Sequence, residues 1–373
     1  MLAGASPLRA ASRSQILDIV EGSDSRHLIG ALERRRLLPL LGARLRDLAP
    51  SALPEALSRA VAAATARDRA AAMALEVHAD LAINVLRDAG VVALALKGPA
   101  LALSAHGDIG LRSSGDVDIL VAPDDLRRAA VGALSRQGYV LLDDPVDGAG
   151  LPVLHRRLSH PQRPRVELHW RVHWHETAFS RDMLARSRPG PDGRLEAHPA
   201  DLGASLLLFF ARDGFYGLRL AADIAGWWDR HRDALGTGLL DEYTRRYPEL
   251  SRTWHASARA AERLVGVPVD AWLTEPPPTD RRTTLALRLS NWSQDGDPDQ
   301  LAVNIMLVDA LLGPPGSWRR LLRRQLKAAP GGRRTPHLMK IGLRAVAAFN
   351  RVRRRRWVAP LPRRAAAPVR AGA

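Results

Sequence analysis

The stretch LRSSGDVDILVAPDD, residues 111–125, places two acids within a short apolar run. Alternate residues of a strand point to the same face, so Asp116 and Asp118 project together while Val117 and Ile119 project to the other side. Burying a carboxylate costs free energy unless another group compensates it, and two neighbouring carboxylates raise each other's pKa. A divalent cation relieves both effects, and Mg²⁺ typically binds one or two carboxylates together with substrate phosphates. The pattern indicates a metal site. The alternative interpretation is a solvated pair of acids without a function, because such pairs show the same spacing.

The residues before this stretch offer groups that bind phosphate. ALALKGPAL, residues 93–101, predicts a strand that turns into a helix at Lys97 and Gly98. Free N–H groups and the helix dipole favour a phosphate at such a turn, and glycine permits close backbone approach. Three donors that suit a polyphosphate directly precede the acids: Arg112, Ser113 and Ser114. A solvated lysine in an ordinary turn and a polar loop are the alternative interpretations.

A second pair of polar residues follows downstream. RVELHWRVHW, residues 165–174, predicts a strand with Glu167 and His169 on one face. If this strand lies beside residues 117–121, Glu167 becomes a third carboxylate, and three acids that hold two ions suit in-line nucleotidyl transfer. His173 and His175 share the parity of His169, but their spacing matches no standard zinc motif. We interpret these histidines as a polar face next to the site.

Composition narrows the class of protein. The 373 residues are 46% hydrophobic, enough for a sizeable core, and contain no cysteine. Disulfides, thiolate zinc sites and cysteine nucleophiles are therefore excluded. The first 22 residues lack an uninterrupted apolar segment, and the most apolar stretch, residues 301–313, is short and interrupted by Asn304 and Asp309. We expect a cytoplasmic protein with no transmembrane segment.

The positive charge is concentrated at one end of the chain. The formal net charge is +16, yet residues 319–373 hold 17 Lys and Arg and no acid, which leaves 38 basic and 39 acidic residues in the rest. Two basic amphipathic helices are predicted there, over residues 317–329 and 337–357. They would bind nucleic acid or another anionic surface, or would dock their apolar faces on the body and leave arginine in solvent.

Changes in composition and in the spacing of apolar residues divide the chain into four parts. Alanine- and leucine-rich stretches with helical spacing alternate with one region of short apolar runs. We expect an N-terminal helical segment over 1–89, an α/β core over 90–198, a helical domain over 199–312 and a basic tail over 313–373. The fold class is α+β, with a small mixed sheet between helical segments, and the nine tryptophans are expected mostly in the core.

Four motifs together resemble the bacterial nucleotidyltransferase-like family of the polymerase-β superfamily. They are Leu96-Lys97-Gly98, R-x-x-x-D-x-D-h-L-V at 112–121, Gly138-Tyr139 and h-E-L-H-W at 166–170. The later segment LLFFARDGFYGLRLAADIAGWW, residues 207–228, resembles a helical part of the same family, so the resemblance covers roughly residues 25–265. It implies a polymerase-β-like core.

The resemblance also implies roles for individual residues. Asp116 and Asp118 would bind Mg²⁺ or Mn²⁺, and Glu167 would be a third ligand or a base for the acceptor hydroxyl. Lys97 and Gly98 would contact the triphosphate of an NTP. The sequence departs from the superfamily at the phosphate turn, where Pro99 stands in place of the usual serine and supplies neither a hydroxyl nor an N–H group.

The function that follows is a metal-dependent nucleotidyltransferase. It would move a nucleoside monophosphate from an NTP to a hydroxyl-type acceptor, which is a small molecule, a peptide or an RNA. The alternative is a catalytically silent module with the same fold that binds nucleotides or RNA and regulates a partner. Pro99 and the basic tail favour this alternative.

Overall fold

We analysed a computed structural model of the chain, which describes residues 20–48, 53–126, 130–142, 151, 153–289, 298–327, 342 and 344–346. Three helices come first: α1, Ser25–Arg34; α2, Leu38–Leu48; and α3, Glu55–Asp88. Asp24 caps α1 by accepting a hydrogen bond from the backbone N–H of His27 at 3.0 Å. The N-terminal part of the described chain is therefore helical, as predicted.

A five-stranded mixed sheet follows. Its strands are β1, Ala93–Ala95; β2, Asp116–Val121; β3, Val140–Leu142; β4, His155–Ser159; and β5, Arg165–His169. They lie in the order β1-β2-β5-β4-β3. The β2–β5 pair is parallel, and the other three pairs are antiparallel. This sheet, with helices before and after it, confirms the predicted α+β class.

The two faces of β2 are covered by different parts of the protein. Val117, Ile119 and Val121 belong to an apolar cluster that includes residues of α3. Leu120, on the opposite face, belongs to the apolar cluster of the later helices. Asp116, Asp118 and Leu120 alternate with these valine and isoleucine residues and share one face of β2. The acids therefore lie on the face covered by the helices that follow the sheet, which we call the helical side.

Short helical elements connect the strands. Helix α4, Gly98–His106, follows β1, with Pro99 in its first turn as the sequence predicts. A 3₁₀ turn over Ile109–Leu111 precedes β2. A helical turn over Pro123–Asp125 and helix α5, Val131–Ser135, follow it.

Eight of the helices that the structure describes come after the sheet. They are α6, Phe179–Arg186; α7, Pro199–Arg212; α8, Arg219–Leu235; α9, Asp241–Arg246; α10, Ser251–Val265; α11, Arg281–Leu289; α12, Pro298–Leu312; and, at the start of the basic tail, α13, Ser317–Lys327. Two short strands, β6 (Arg188–Pro189) and β7 (Leu195–Glu196), form a hairpin between α6 and α7. Two 3₁₀ turns lie over Pro248–Leu250 and Val269–Ala271.

Large aromatic side chains fill the core of this helical part. Trp227, Trp254 and Trp272 are fully buried, and the rings of Trp227 and Trp272 stack with centroids 5.5 Å apart. The interpretation of the tryptophans as core residues is confirmed for these three. Trp318 differs, since it lies on α13 with 54% of its surface exposed.

Strand β5 is shorter than the sequence predicts, because it ends at His169 rather than at Trp174. The buried carboxylate of Glu176 accepts hydrogen bonds from the backbone N–H groups of Val172 at 2.5 Å and His173 at 2.9 Å. These bonds turn the chain away from the sheet. His173 and His175 therefore do not continue the face that carries His169.

Two predictions about the organisation of the chain remain predictions. The four-part division stays a prediction, since Leu94, Leu96 and Leu120 of the α/β region share an apolar cluster with Trp227 and other helical residues. The second predicted tail helix, over 337–357, lies mostly outside the described residues. In the part of the chain that the structure describes, no helix has both the length and the apolar character needed to cross a bilayer.

Packing of α7 against α8 is tight enough to be tested by adding one methyl group. A Cβ atom on Gly203 of α7 would overlap with ring carbons of the buried Trp227. We expect Gly203→Ala to lower the free energy of unfolding by roughly 1–3 kcal/mol, measured by urea denaturation. Gly132→Ala is the control, since its Cβ would meet only Arg136 Nη1 at 3.8 Å. An unchanged midpoint for Gly203→Ala would contradict this packing.

Candidate active site

The parallel pairing of β2 and β5 brings the predicted acids together. Asp118 is the register partner of Glu167, so the two residues lie side by side on neighbouring strands. Asp116 lies two residues before Asp118 on the same face of β2. The three carboxylates that the sequence singles out are therefore grouped on the helical side of the sheet.

Asp118 is the most buried of the three, with 7% of its surface exposed. Its Oδ1 atom lies 2.8 Å from His169 Nε2 and 3.6 Å from Lys97 Nζ. Burial alone would raise the pKa of Asp118, but the charge of Lys97 and the hydrogen bond from His169 outweigh it and hold the pKa far below its usual range. Asp118 is therefore a fixed negative charge.

Glu167 lies between two imidazoles. Its Oε2 atom is 3.6 Å from His169 Nε2 and 3.6 Å from His155 Nε2. Burial favours a higher pKa for Glu167, but the neighbouring His169 and His155 lower it below its usual value. Burial and the neighbouring His169 lower the pKa of His155 to about 4, so this imidazole is neutral at pH 7.

The negative charge of Asp116 is less well compensated by positive groups than that of Asp118. Burial and the negative charges of Asp118 and Glu167 raise its pKa, and the more distant Lys97 and Arg219 oppose this effect only in part. Three carboxylate groups that repel one another, with oxygen as the donor atom, fit the binding of a hard divalent cation. The residues present therefore suit Mg²⁺ or Mn²⁺.

Lys97 and Gly98 stand at the turn between β1 and α4, beside the acids. Gly98 adopts a φ of +66°, and a Cβ on it would lie 4.0 Å from the carbonyl oxygen of Asp116. Lys97 Nζ lies over the ring of Phe209 at 4.3 Å, and the Arg212 guanidinium lies over the same ring at 4.8 Å. Phe209 thus holds two cations near Asp118.

The donors in the loop before β2 have protein partners. Arg112 is buried, and it donates from Nε to Asp223 Oδ2 at 2.9 Å and from Nη1 to Ser114 Oγ at 2.8 Å. The other oxygen of Asp223 lies 3.0 Å from His106 Nε2. These contacts connect the loop to α8 and α4. The expectation that Arg112, Ser113 and Ser114 contact phosphate stays a prediction.

Two cations of the site were not singled out by the sequence analysis. Arg212 ends α7 and lowers the pKa of Asp118, while Arg219 begins α8 and lowers that of Asp116. Arg219 also donates to the carbonyl oxygen of Ser113 at 3.4 Å. They flank the segment DGFYG, in which Gly214, the buried Phe215 and Gly217 all have positive φ. The sequence pattern that could have pointed to these two residues is a turn bracketed by glycines with an arginine on each side.

His155 was also missed. It is the register partner of His169 on β4, with ring centroids 4.8 Å apart. His155, Glu167 and His169 each bring one ligand atom within 4.8 Å of the other two. By contrast, His175 pairs with Asp309 at 2.7 Å, and His173 is buried beside it. Nothing local in HRRLS marks His155, since its role depends on strand pairing.

Comparison with known proteins gives a match to a protein family. The model of an uncharacterised nucleotidyltransferase family matches residues 21–266, which include every strand of the five-stranded sheet and the three acids Asp116, Asp118 and Glu167. No curated protein matches the chain.

The buried Asp223 cluster gives a pH-dependent prediction. Burial opposes ionisation of Asp223, but Arg112 and His106 outweigh it and lower its pKa from 3.8 to about 2. A pKa that is lower in the folded protein stabilises it fully above pH 3.8 and loses this effect as the pH falls towards 2. We expect Asp223→Asn to lower the free energy of unfolding at pH 7 by about 2 kcal/mol or more.

Urea denaturation of wild type and variant between pH 7 and pH 2 measures this effect. Their difference should shrink as the pH falls from about 4 towards 2. Asp233→Asn on the same helix is the control, because the Asp233 side chain is 91% exposed. A difference for Asp223→Asn that stays constant with pH would contradict the assignment.

Proposed function

Because the chain belongs to the uncharacterised nucleotidyltransferase family, we propose that it transfers a nucleoside monophosphate from an NTP to a hydroxyl-type acceptor. The observation that carries this proposal is the side-by-side placement of Asp118 and Glu167 on parallel strands, with Asp116 two residues away. A cytoplasmic location, where NTPs are available, is part of the proposal. The acceptor class stays open among small molecules, peptides and RNA.

In the proposed reaction, the acceptor hydroxyl oxygen attacks the α-phosphorus of the NTP. A new P–O bond forms, the bond from the α-phosphorus to the bridging oxygen of the β-phosphate breaks, and pyrophosphate leaves with that oxygen. Asp116, Asp118 and Glu167 would hold Mg²⁺ or Mn²⁺, which when bound polarises the phosphoryl group and makes the hydroxyl more acidic. The pKa of Glu167 lies below its usual value, so this carboxylate is ionised and can also receive the hydroxyl proton.

The positively charged side chains around the acids would bind the phosphates of the NTP. The side chains of Lys97, Arg212 and Arg219 come from three elements and lie near the carboxylates. Positive groups held in place before the reaction stabilise negative charge on the transferring phosphoryl group. Gly98 allows the backbone of the β1–α4 turn to approach a phosphate closely. Lys97 and Gly98 are thus the proposed triphosphate contacts, with Arg212 and Arg219 added to them.

Two observations favour the alternative, a catalytically silent module that binds nucleotide or RNA. Pro99 lies in the first turn of α4 without an N–H group, and Arg112 and Ser114 bond to each other. Calorimetry with Mg²⁺ and each NTP, alongside a pyrophosphate assay, separates the two functions. Tight NTP binding without pyrophosphate release over a broad acceptor panel would favour the silent module.

The carboxylates give the principal mutational test. Asp116→Asn and Asp118→Asn should each lower the rate of pyrophosphate release by roughly 100-fold or more, since each removes a ligand of an ion that supplies several kcal/mol. Asp124→Asn is the matched control, because Asp124 is exposed in the helical turn just after β2. Turnover by the two site variants at the wild-type rate would reject the mechanism.

The arginines of the α7–α8 turn give a second test. Arg219→Ala should raise the KM for NTP about tenfold, because one positive group near the phosphates is worth about 1–2 kcal/mol in a partly buried site. Arg219→Lys should recover part of this loss. Arg59→Ala is the control, since the Arg59 side chain is 74% exposed near the start of α3. A KM for Arg219→Ala equal to that of the control would remove Arg219 from the proposed site.

A further inference from the structure

The edge of the site nearest β4 carries a different chemistry from the carboxylate pair on β2. Here two imidazoles and one carboxylate converge, from His155, Glu167 and His169. Glu167 Oε2 lies 3.6 Å from Nε2 of each histidine, and ligand atoms of the three side chains all lie within 4.8 Å of one another. Two nitrogen atoms and one oxygen atom thus lie close together, and an ion bound to His169 Nε2 would replace the 2.8 Å hydrogen bond between this atom and Asp118 Oδ1.

These separations are close to those around a bound transition-metal ion. Zinc binds imidazole nitrogen at 2.0–2.1 Å with tetrahedral geometry, which places neighbouring ligand atoms about 3.4 Å apart. The observed 3.6 Å separations need only small side-chain movements to reach that value. The ligand atoms of His155 and His169 lie within 4.8 Å of each other, so ion binding would also require any approach of these two imidazoles beyond that separation.

The position is accessible yet well supported. His155 and Glu167 expose 22% and 15% of their side chains, whereas the His169 side chain is completely buried. Strand pairing fixes all three backbones, since His155 pairs with His169 across β4 and β5, and Glu167 lies two residues before His169. An ion could enter from the exposed side and leave space for water or substrate as a fourth ligand.

We propose that His155, Glu167 and His169 bind a first-row transition-metal ion, such as Mn²⁺, Co²⁺ or Zn²⁺, beside the carboxylate pair of Asp116 and Asp118. Imidazole nitrogen suits these ions, whereas Mg²⁺ prefers oxygen ligands and retains several waters. Glu167 would then be shared between two neighbouring positions of different metal preference. Binding depends on these three side chains alone, and only a part in catalysis rests on the proposed function.

The test is a Co²⁺ titration of the metal-free, full-length protein, followed by visible absorption and calorimetry. We expect one Co²⁺ per chain with a visible absorption band, retained in a tenfold excess of Mg²⁺. His155→Gln and Glu167→Gln should each weaken Co²⁺ binding at least tenfold. Two controls should keep wild-type affinity: His160→Gln, which changes a histidine just beyond β4, and Asp116→Asn, which changes the carboxylate pair.

Three results would overturn the inference. They are wild-type Co²⁺ affinity in both His155→Gln and Glu167→Gln, displacement of Co²⁺ by equimolar Mg²⁺, and loss of binding in Asp116→Asn equal to that in His155→Gln. Circular dichroism checks the fold of each variant, and Glu167→Gln decides if His155→Gln does not fold.

The outcomes also separate this inference from the proposed function. Pyrophosphate release with Mg²⁺ but no histidine-dependent Co²⁺ binding would reject the imidazole site and leave the transferase function intact. Histidine-dependent Co²⁺ binding without turnover of any NTP would support the imidazole site and count against the transferase function.

Discussion

The buried charge of Asp118 is the constraint on which the rest of the site depends. An ionised carboxylate with 7% exposure is unstable in a protein interior unless positive or hydrogen-bonding groups surround it. The groups that do so come from different parts of the chain. Lys97 follows β1, His169 ends β5, and Arg212 ends α7. Compensating one carboxylate thus requires that the sheet and the helical part assemble correctly around it.

The helices after the sheet complete the site rather than only covering it. Phe209 of α7 presents its ring to both Lys97 and Arg212, which keeps these cations close to the acids. Asp223 of α8 holds Arg112, and Arg112 in turn holds Ser114 in the loop that leads into β2. The geometry of the acids therefore depends on contacts made about 100 residues later in the chain, as in the Arg112–Asp223 pair. This dependence agrees with a family match that extends through α10 to residue 266.

The structure also separates the histidines into groups with different surroundings. His169 and His155 face each other across β4 and β5, beside Glu167. His173 and His175 follow the end of β5, where Glu176 binds the backbone and turns the chain. The difference arises because the parity rule holds only while the strand continues. Among the described residues, the imidazoles of the proposed metal site lie on β4 and β5, whereas Asp116 and Asp118 lie on β2, and this asymmetry motivates the distinction between the two metal positions.

By itself, the sequence determined the features that arise from local periodicity. Alternation along DVDILV assigned the acids to one face, glycine and proline marked the turn into α4, and apolar spacing identified the helical segments. The β2–β5 pairing was a condition of the sequence argument, and the structure meets it. Only the tertiary structure decided that His155 joins Glu167, that Arg112 is bound by Asp223, and that Arg212 and Arg219 approach the acids. These contacts link residues tens of positions apart, and no local pattern encodes them, because they arise when strands pair and helices pack.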